Sequence, residues 1–196
     1  MAETIVPLTD EDGRLHEVLA DRARQLAQTD TTEELSRDVL DVVTFQAGGE
    51  RFGVDLQFVR EVQPLIRDLW ALVPCTPGFI VGAVNIRGRI YAMMNIAVYL
   101  GISAADPGEN AHTLLVRDQS RGRGEVMEFC LLSDDIPVLE SIPLGEVQSP
   151  SASISARAQK YIKGVTRDLL MILDLEKLFA DPGIIINEDT SEAGSG

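Results

Sequence analysis

The sequence predicts a mainly β fold made of two halves that share one plan. From Leu40 onward, short apolar runs alternate with turn residues, a pattern typical of small barrels rather than of βαβ units. An aromatic-Ile-x-Gly motif at residues 79–82 returns at residues 161–164. Each copy leads into a second apolar run and then into an Asn or Asp followed by a short helical segment. One chain therefore carries two related β units.

The two copies differ in the turn between their strands. Asn95 and Asp174 suit the position before a helix, because a side-chain oxygen there accepts a hydrogen bond from the first helical turn. The motif glycine lies 13 positions before Asn95 in the first copy and 10 positions before Asp174 in the second. The first copy has room for a longer projecting hairpin, and we expect Arg87-Gly88 at its tip.

The sequence after residue 40 predicts ten short strands. Gly48-Gly49 predicts a hairpin turn between the first two strands. The segment 64–77 is expected to be a long connection without a strand. The predicted strands are 41–46, 50–54, 58–62, 79–85, 90–94, 112–117, 125–132, 137–142, 157–165 and 169–173.

Three segments differ in composition, which predicts an N-terminal helical extension at 1–39, a β domain at 40–182 and an acidic disordered tail at 183–196. Residues 9–28 carry apolar side chains at helical spacing. This apolar stripe either packs on the parent domain or forms a docking helix for another protein, and the first interpretation is the simpler one.

Composition excludes several classes of function. A net charge of −14 makes binding to a phosphate backbone unfavourable, because such binding depends on clustered Lys and Arg. The chain begins without the basic flank and apolar run of a signal peptide, and its apolar runs are too short to span a bilayer. Cys75 and Cys130 both lie in apolar stretches, which indicates core thiols rather than a disulfide framework. A cytoplasmic protein is the expectation.

Residues that could support catalysis or cofactor binding are sparse. His16 and His112 are the only histidines, and neither has the spacing of a metal site. The adjacent carboxylates Asp134 and Asp135 would point to opposite faces of a strand, so they are poorly placed to share a proton. We therefore expect no enzyme activity, no metal and no cofactor.

Several of these motifs together resemble the CheW family of bacterial chemotaxis coupling proteins. They are residues 43–46 before Gly48-Gly49, residues 59–62, Val73-Pro74 and the Asn-Ile-Arg-Gly turn at 85–88. The resemblance covers roughly residues 40–180. It implies two intertwined five-stranded SH3-like β-barrels with a short helix after each repeat. It also implies a non-enzymatic adaptor that couples chemoreceptor cytoplasmic tips to the regulatory domain of a CheA-type histidine kinase in a membrane-associated array.

The resemblance also implies a partner-binding surface. Its residues are Val59, Glu61, Gly82, Asn85, Ile86, Arg87 and Gly88. Val59 and Glu61 lie two apart on one strand, so we expect their side chains to share a face. If Val59 is exposed beside Ile86, the two extend an apolar patch in a groove between the barrels, and this groove would receive a helical receptor hairpin.

Alternative interpretations remain open for these residues. Arg87 either contacts a partner or folds back onto an acidic neighbour such as Glu61. Gly82 and Gly88 have a purely structural explanation in backbone geometry or close packing, and Val59 is buried if it follows the usual fate of valine. The alternative function is an effector-binding or small-molecule-binding regulatory domain that uses the groove as a pocket. The receptor, the stimulus and the pathway, whether swimming or twitching and gliding, stay open.

A truncation tests the predicted division of the chain. Removing residues 1–32 is expected to leave a cooperatively folding β core, because the sequence pattern changes from helical to strand-like near Leu40. Circular dichroism during thermal unfolding measures this. Loss of the cooperative β transition in the truncated protein would show that the extension is integral to the core.

Overall fold

A computed structural model describes residues 38–102, 107–119, 126–150 and 154–184. The chain divides into two units, Met1–Val39 and Leu40–Gly196, and the description concerns the second. The predicted N-terminal helix lies outside the described residues, as do all but two residues of the predicted acidic tail. No helix within the described residues is long and apolar enough to cross a membrane.

Short strands and a few one- to two-turn helices make up the described fold. Ser155, Asn95 and Asp174 each cap a helix with a side-chain oxygen, two of them as the sequence predicts. The strands are β1 Val39–Ala47, β2 Glu50–Asp55, β3 Val59–Pro64, β4 Trp70–Ala71, β5 Ile80–Ile86, β6 Arg89–Met94, β7 His112–Arg117, β8 Glu128–Ser133, β9 Val138–Pro143, β10 Ile162–Val165 and β11 Met171–Leu173. The helices are α1 Ile96–Tyr99, α2 Ala156–Tyr161 and α3 Leu175–Phe179, and 3-10 turns occur at Leu56–Phe58, Arg67–Leu69 and Leu144–Glu146.

Two curled sheets exchange strands between the halves of the chain. The first, barrel A, has the order β10-β11-β2-β1-β9, and the second, barrel B, has the order β3-β7-β8-β6-β5-β4. Each barrel thus takes a two-strand hairpin from the opposite half, β1-β2 in barrel A and β7-β8 in barrel B. The predicted fold class, mainly β with two intertwined SH3-like subdomains, is confirmed; barrel B has a sixth strand, the two-residue β4.

The internal repeat in the sequence corresponds to repeated geometry. The β5-β6 and β10-β11 hairpins both contain an irregularity just before the motif glycine. The second strand of each hairpin then pairs in parallel with a strand of the exchanged hairpin, β6 with β8 and β11 with β2. The backbone N–H of Asn95 donates to Phe79 and that of Asp174 to Tyr161, both at 2.8 Å. The two halves are therefore built alike down to single hydrogen bonds.

The repeat extends to a motif that the sequence analysis missed. Strand β3 reads Val59-x-Glu61-x-x-Pro64, and strand β9 reads Val138-x-Glu140-x-x-Pro143. A 3-10 turn follows each proline, Arg67–Leu69 in the first half and Leu144–Glu146 in the second. The chain after each turn then pairs with the motif hairpin: β4 pairs with β5, and Gln148 forms a single bridge to Val165. Glu61 and Glu140 thus occupy equivalent positions in the two barrels.

Three local predictions are wrong: one strand, one connection and the burial of Cys75. The predicted strand 157–165 is helix α2 followed by β10, because Ser155 Oγ accepts the Ala158 N–H at 3.1 Å and starts a helical turn. The predicted connection 64–77 contains the 3-10 turn Arg67–Leu69 and strand β4. Cys130 is a buried thiol as expected, whereas Cys75 is exposed in a turn with φ of 62°.

Three apolar clusters form the interior of the domain, and one of them joins the two barrels. The shared core lies between the barrels and includes Phe45 and Phe52 of barrel A with Leu114 and Leu131 of barrel B. The barrel B core contains Ile86, Tyr91, Leu115, Cys130 and Leu132, among others. The barrel A core is smaller and is formed by Val42, Ile142, Leu170 and Ile172. The shared core is the largest cluster, so neither barrel buries its apolar surface alone.

A polar cluster links the helices of the two halves. The Tyr99 hydroxyl of α1 donates to the Asp181 carboxylate at 2.7 Å, and the Arg157 guanidinium of α2 lies 4.6 Å from the Tyr99 ring centre. Lys160 of α2 also pairs with Asp181, at 3.4 Å. Burial, together with the Asp181 bond, raises the pKa of Tyr99 to about 12. The hydrogen bond from Tyr99 in turn lowers the pKa of Asp181.

Gly82 and Gly164 allow close approach of the neighbouring backbone. A Cβ at Gly82 would lie 2.3 Å from the carbonyl oxygen of Ala71, and one at Gly164 would lie 2.3 Å from a Val147 methyl group. A methyl group moves more easily than a paired backbone. Gly82→Ala is therefore expected to lower the free energy of unfolding by about 3 kcal/mol, and Gly164→Ala by about 1–2 kcal/mol. Chemical denaturation checks both values.

The control for this comparison is Gly78→Ala, because no atom lies within 4 Å of a Cβ built there. This control should change stability by less than about 0.5 kcal/mol. A Gly82→Ala protein as stable as the control would contradict the close packing of β4 on β5.

The lowered pKa of Asp181 predicts a pH dependence. The ionised carboxylate stabilises the fold above the pKa that Asp has in the unfolded chain, and this contribution is lost as the pH falls through the lower folded-state pKa. Asp181→Asn should cost about 1–2 kcal/mol at pH 7, and the difference from the unchanged protein should shrink below about pH 4. Urea titrations across this range measure it. Asp68→Asn, at an exposed site, serves as the control; a cost at Asp181 that does not vary with pH would contradict the ionic contribution.

Candidate protein-interaction site

The β5-β6 hairpin presents Arg87 on a two-residue turn. Ile86 pairs with Arg89, and Arg87 and Gly88 both have positive φ, 53° and 83°. These values are those of a type I′ turn, in which glycine at the second position is favourable. Asn85 Oδ1 accepts the Gly88 N–H at 2.8 Å and closes the turn. The predicted hairpin with Arg87 at its tip is confirmed.

Arg87 both pairs with Glu61 and remains accessible. Its Nε and Nη2 lie 3.2 and 3.1 Å from Glu61 Oε1 on β3. The Arg87 side chain is 81% exposed and that of Glu61 is 23% exposed. An ion pair this open contributes little to stability. The two interpretations of Arg87 are therefore compatible, because internal pairing positions the guanidinium without burying it.

A bulge in β3 changes how Val59 and Glu61 are arranged. Val59 lies opposite Val116 and Glu61 lies opposite Leu115, with an irregularity between the two pairs. Directly opposed residues of an antiparallel pair share a face, and neighbouring residues on β7 point to opposite faces. Val59 therefore faces the shared core, whereas Glu61 faces the barrel B core. The prediction that they share a face is wrong, because the bulge adds one residue.

Two of the predicted contact residues are buried. The Ile86 side chain is 3% exposed and belongs to the barrel B core, so it forms no surface patch with Val59. Gly82 is buried where β4 packs on the backbone of β5. Val62 lies opposite Leu114, on the same face as Val59, and is 40% exposed. The exposed apolar surface near Val59 thus lies along β3 and not at Ile86.

Charged residues form two ion-paired groups at one end of barrel B, one around Glu61 and one around Glu128. We call these residues together the charged mouth: Glu61, Arg87, Arg89, Arg117 and Glu128. Arg89 Nη2 lies 3.3 Å from Glu128 Oε2, and Arg117 Nε lies 3.6 Å from Glu128 Oε1. Arg117 and Glu128 are opposed across β7 and β8, two residues from the Leu115 that faces Glu61. The registers therefore place Glu61, Arg117 and Glu128 on the barrel B face of their strands.

The sequence pattern does not single out Arg89, Arg117 and Glu128 as a group. They lie on three strands whose pairing links distant parts of the chain, and a β strand ending in a charged residue is an ordinary pattern. Only the registers of β6 and β7 against β8 bring them together.

The electrostatics of the mouth affect the core below it. Burial, and secondarily the negative charge of Glu61, raises the pKa of the Cys130 thiol to about 12. The thiol therefore stays protonated and is a poor nucleophile. The described residues contain no group of three or more His, Cys, Asp or Glu side chains that could hold a metal ion. The guanidinium groups of the mouth can donate hydrogen bonds to carboxylates or carbonyl oxygens.

A cavity of about 510 Å³ lies elsewhere on barrel B. Leu65, Trp70 and Val81 line it, and no residue of barrel A contributes. Its position differs from the inter-barrel groove that the small-molecule alternative requires.

Known proteins match this chain over most of its length. The family model described as CheW-like domain matches residues 41–183. A chemotaxis protein CheW of Treponema pallidum is 29% identical over 147 residues, covering 71% of this chain and 81% of that protein. A probable chemotaxis protein CheW of Rhizobium etli is 25% identical over 154 residues, covering 76% and 93%.

A solved structure supports the fold independently. The crystal structure of the scaffolding protein TtCheW from Thermoanaerobacter tengcongensis aligns with a TM-score of 0.57 at 23% identity, covering 74% of this chain and 94% of that one. At this identity the likeness establishes the fold alone. The family model, however, spans both barrels and the strands they exchange. The chain therefore belongs to the family of CheW-like domain proteins.

Proposed function

We propose that this protein is a non-enzymatic adaptor that couples chemoreceptor cytoplasmic tips to a CheA-type histidine kinase. The observation that carries the proposal is the exposed Arg87 guanidinium, held above Glu61 at the end of barrel B. Two relatives are named chemotaxis proteins and a third is named a scaffolding protein, which supports the same role here. The protein acts in the cytoplasm, in association with receptor arrays.

The Arg87–Glu61 pair is suited to contact with another chain. A guanidinium has five N–H donors in a fixed plane, and Glu61 engages only the Nε and Nη2 side of Arg87. The remaining donors are free to reach a carboxylate or a main-chain carbonyl of a partner. Because the pair already restricts the side chain, binding costs less conformational entropy than it would for a free arginine.

The receptor and the kinase use separate surfaces in this proposal. On edge strand β3, Val62 is 40% exposed and offers apolar contact for a receptor helix, next to Val59, which packs partly on the shared core. The kinase regulatory domain contacts the barrel ends away from the charged mouth. The role of Val59 is retained, whereas the apolar contribution assigned to Ile86 passes to Val62.

Replacing Arg87 tests the proposal directly. Arg87→Asp should leave the fold intact and weaken partner binding by about 1–3 kcal/mol, because repulsion replaces a charge-assisted contact. Calorimetric titration with a receptor hairpin fragment and, separately, with the kinase regulatory domain measures the loss. Arg167→Asp, at an exposed position of barrel A, is the control and should leave both affinities unchanged.

A charge-swapped protein separates contact from positioning. Arg87→Glu combined with Glu61→Arg keeps an internal ion pair but reverses the charge at the tip. If Arg87 touches the partner, binding stays weak in the swapped protein. Full recovery of affinity would mean that only the internal pair matters, and unchanged affinity of Arg87→Asp for both partners would reject the assignment.

A further inference from the structure

The charged mouth presents positive charge outward on an acidic protein. Its carboxylates are recessed, with the side chains of Glu61 and Glu128 only 23% and 13% exposed. Its guanidinium groups stand further out, with side-chain exposures of 81% for Arg87, 71% for Arg89 and 39% for Arg117. The surface that another molecule meets is therefore basic, although the whole chain has a net charge of −14.

Closing the barrel explains only part of this arrangement. Glu61 and Glu128 lie over the barrel B core, where each needs a compensating charge. Arg87 supplies it for Glu61, but Glu128 has two guanidinium partners, Arg89 and Arg117. Arg89 also lies 5.4 Å from the Tyr91 ring centre, which fixes its stem over the barrel. The group thus carries one more positive charge than compensation requires.

Geometry restricts what this charge can bind. Arg89 and Arg117 approach the two oxygens of one carboxylate, so their guanidinium groups are close neighbours. Carboxylates one helical turn apart, with Cβ atoms about 5–6 Å from each other, match such a pair. The strongly negative chain disfavours nucleic acids and anionic membranes, because a long anionic surface is repelled by the rest of the molecule.

We propose that the charged mouth binds an acidic α-helix of a partner protein, and that Arg89 and Arg117 determine specificity for its carboxylates together with Arg87. The inference rests on the proposed function in taking the receptor hairpin as the partner that carries this helix. The recessed Glu128 moderates the attraction, since it neutralises part of the charge of both arginines.

Substitutions of the arginines and of Glu128 should change the affinity for the receptor fragment in opposite directions. Arg89→Gln and Arg117→Gln should each weaken binding of a receptor hairpin fragment about two- to fivefold, and both should reduce its dependence on salt. Glu128→Gln should strengthen binding about two- to fivefold and increase the salt dependence, a gain that misfolding cannot produce. The affinities are measured from about 0.05 M to about 0.5 M salt, where screening of exposed charges becomes strong.

Arg51→Gln on barrel A is the matched control. Arg51 pairs with Glu140 and Asp168, and its side chain is 38% exposed, close to the 39% of Arg117. This variant should bind the receptor fragment like the unchanged protein. If the Arg89, Arg117 and Glu128 variants also match the unchanged protein in affinity and salt dependence, the inference is overturned while the adaptor function stands.

Two further measurements decide the remaining cases. If the unchanged protein binds neither the receptor fragment nor the kinase domain, the proposed function fails. In that case, binding of a synthetic helix with glutamate at every fourth position tests the charged mouth by itself. Tighter binding of this helix than of its glutamine counterpart, increased by Glu128→Gln, supports the inference, and equal binding overturns it. Arginine-dependent binding to phosphatidylglycerol vesicles, with no effect on the receptor fragment, would also overturn it by showing a lipid surface instead.

Discussion

The exchange of hairpins between the two halves is the constraint on which the rest of this structure depends. Strands β1 and β2 complete the barrel of the second half, and β7 and β8 complete that of the first. Two short parallel pairings, β11 with β2 and β6 with β8, join the exchanged hairpins to their hosts. The shared core forms only when both exchanges have been made. Stability and the arrangement of the binding surface are therefore properties of the whole domain rather than of either half.

The same exchange assembles the charged mouth. Glu61 and the Arg87 turn come from the first half, whereas Arg117 and Glu128 come from the β7-β8 hairpin of the second. The charged mouth forms only when the strands pair in the correct register. A slip of one residue between β7 and β8 would direct Glu128 away from both arginines. In the proposed function, fold and binding are linked through strand register and not through a flexible loop.

Local chemistry determines which features the sequence reveals. The Gly48-Gly49 and Arg87-Gly88 turns, the caps Asn95 and Asp174, and the repeated hairpins are specified by nearby residues, and these predictions are confirmed. The β3 bulge leaves no sign in the sequence around Val59, because the partner strand β7 lies far along the chain. Helix α2 was predicted as a strand, since six residues running directly into β10 provide too short a helical period. Predicting the charged mouth from the sequence would need the registers of three strand pairs together. A pattern of apolar and polar residues does not contain this information.

The turn that carries Arg87 has a conformation that favours glycine or asparagine. An arginine at φ of 53° costs about 1 kcal/mol or more relative to those residues, and an exposed ion pair returns little of it. Engineering for thermal stability would therefore favour asparagine at this position and would remove an exposed guanidinium from the hairpin tip. Under the proposed function, stability and binding oppose each other at this tip, so a stabilised scaffold of this family should be designed with position 87 held fixed.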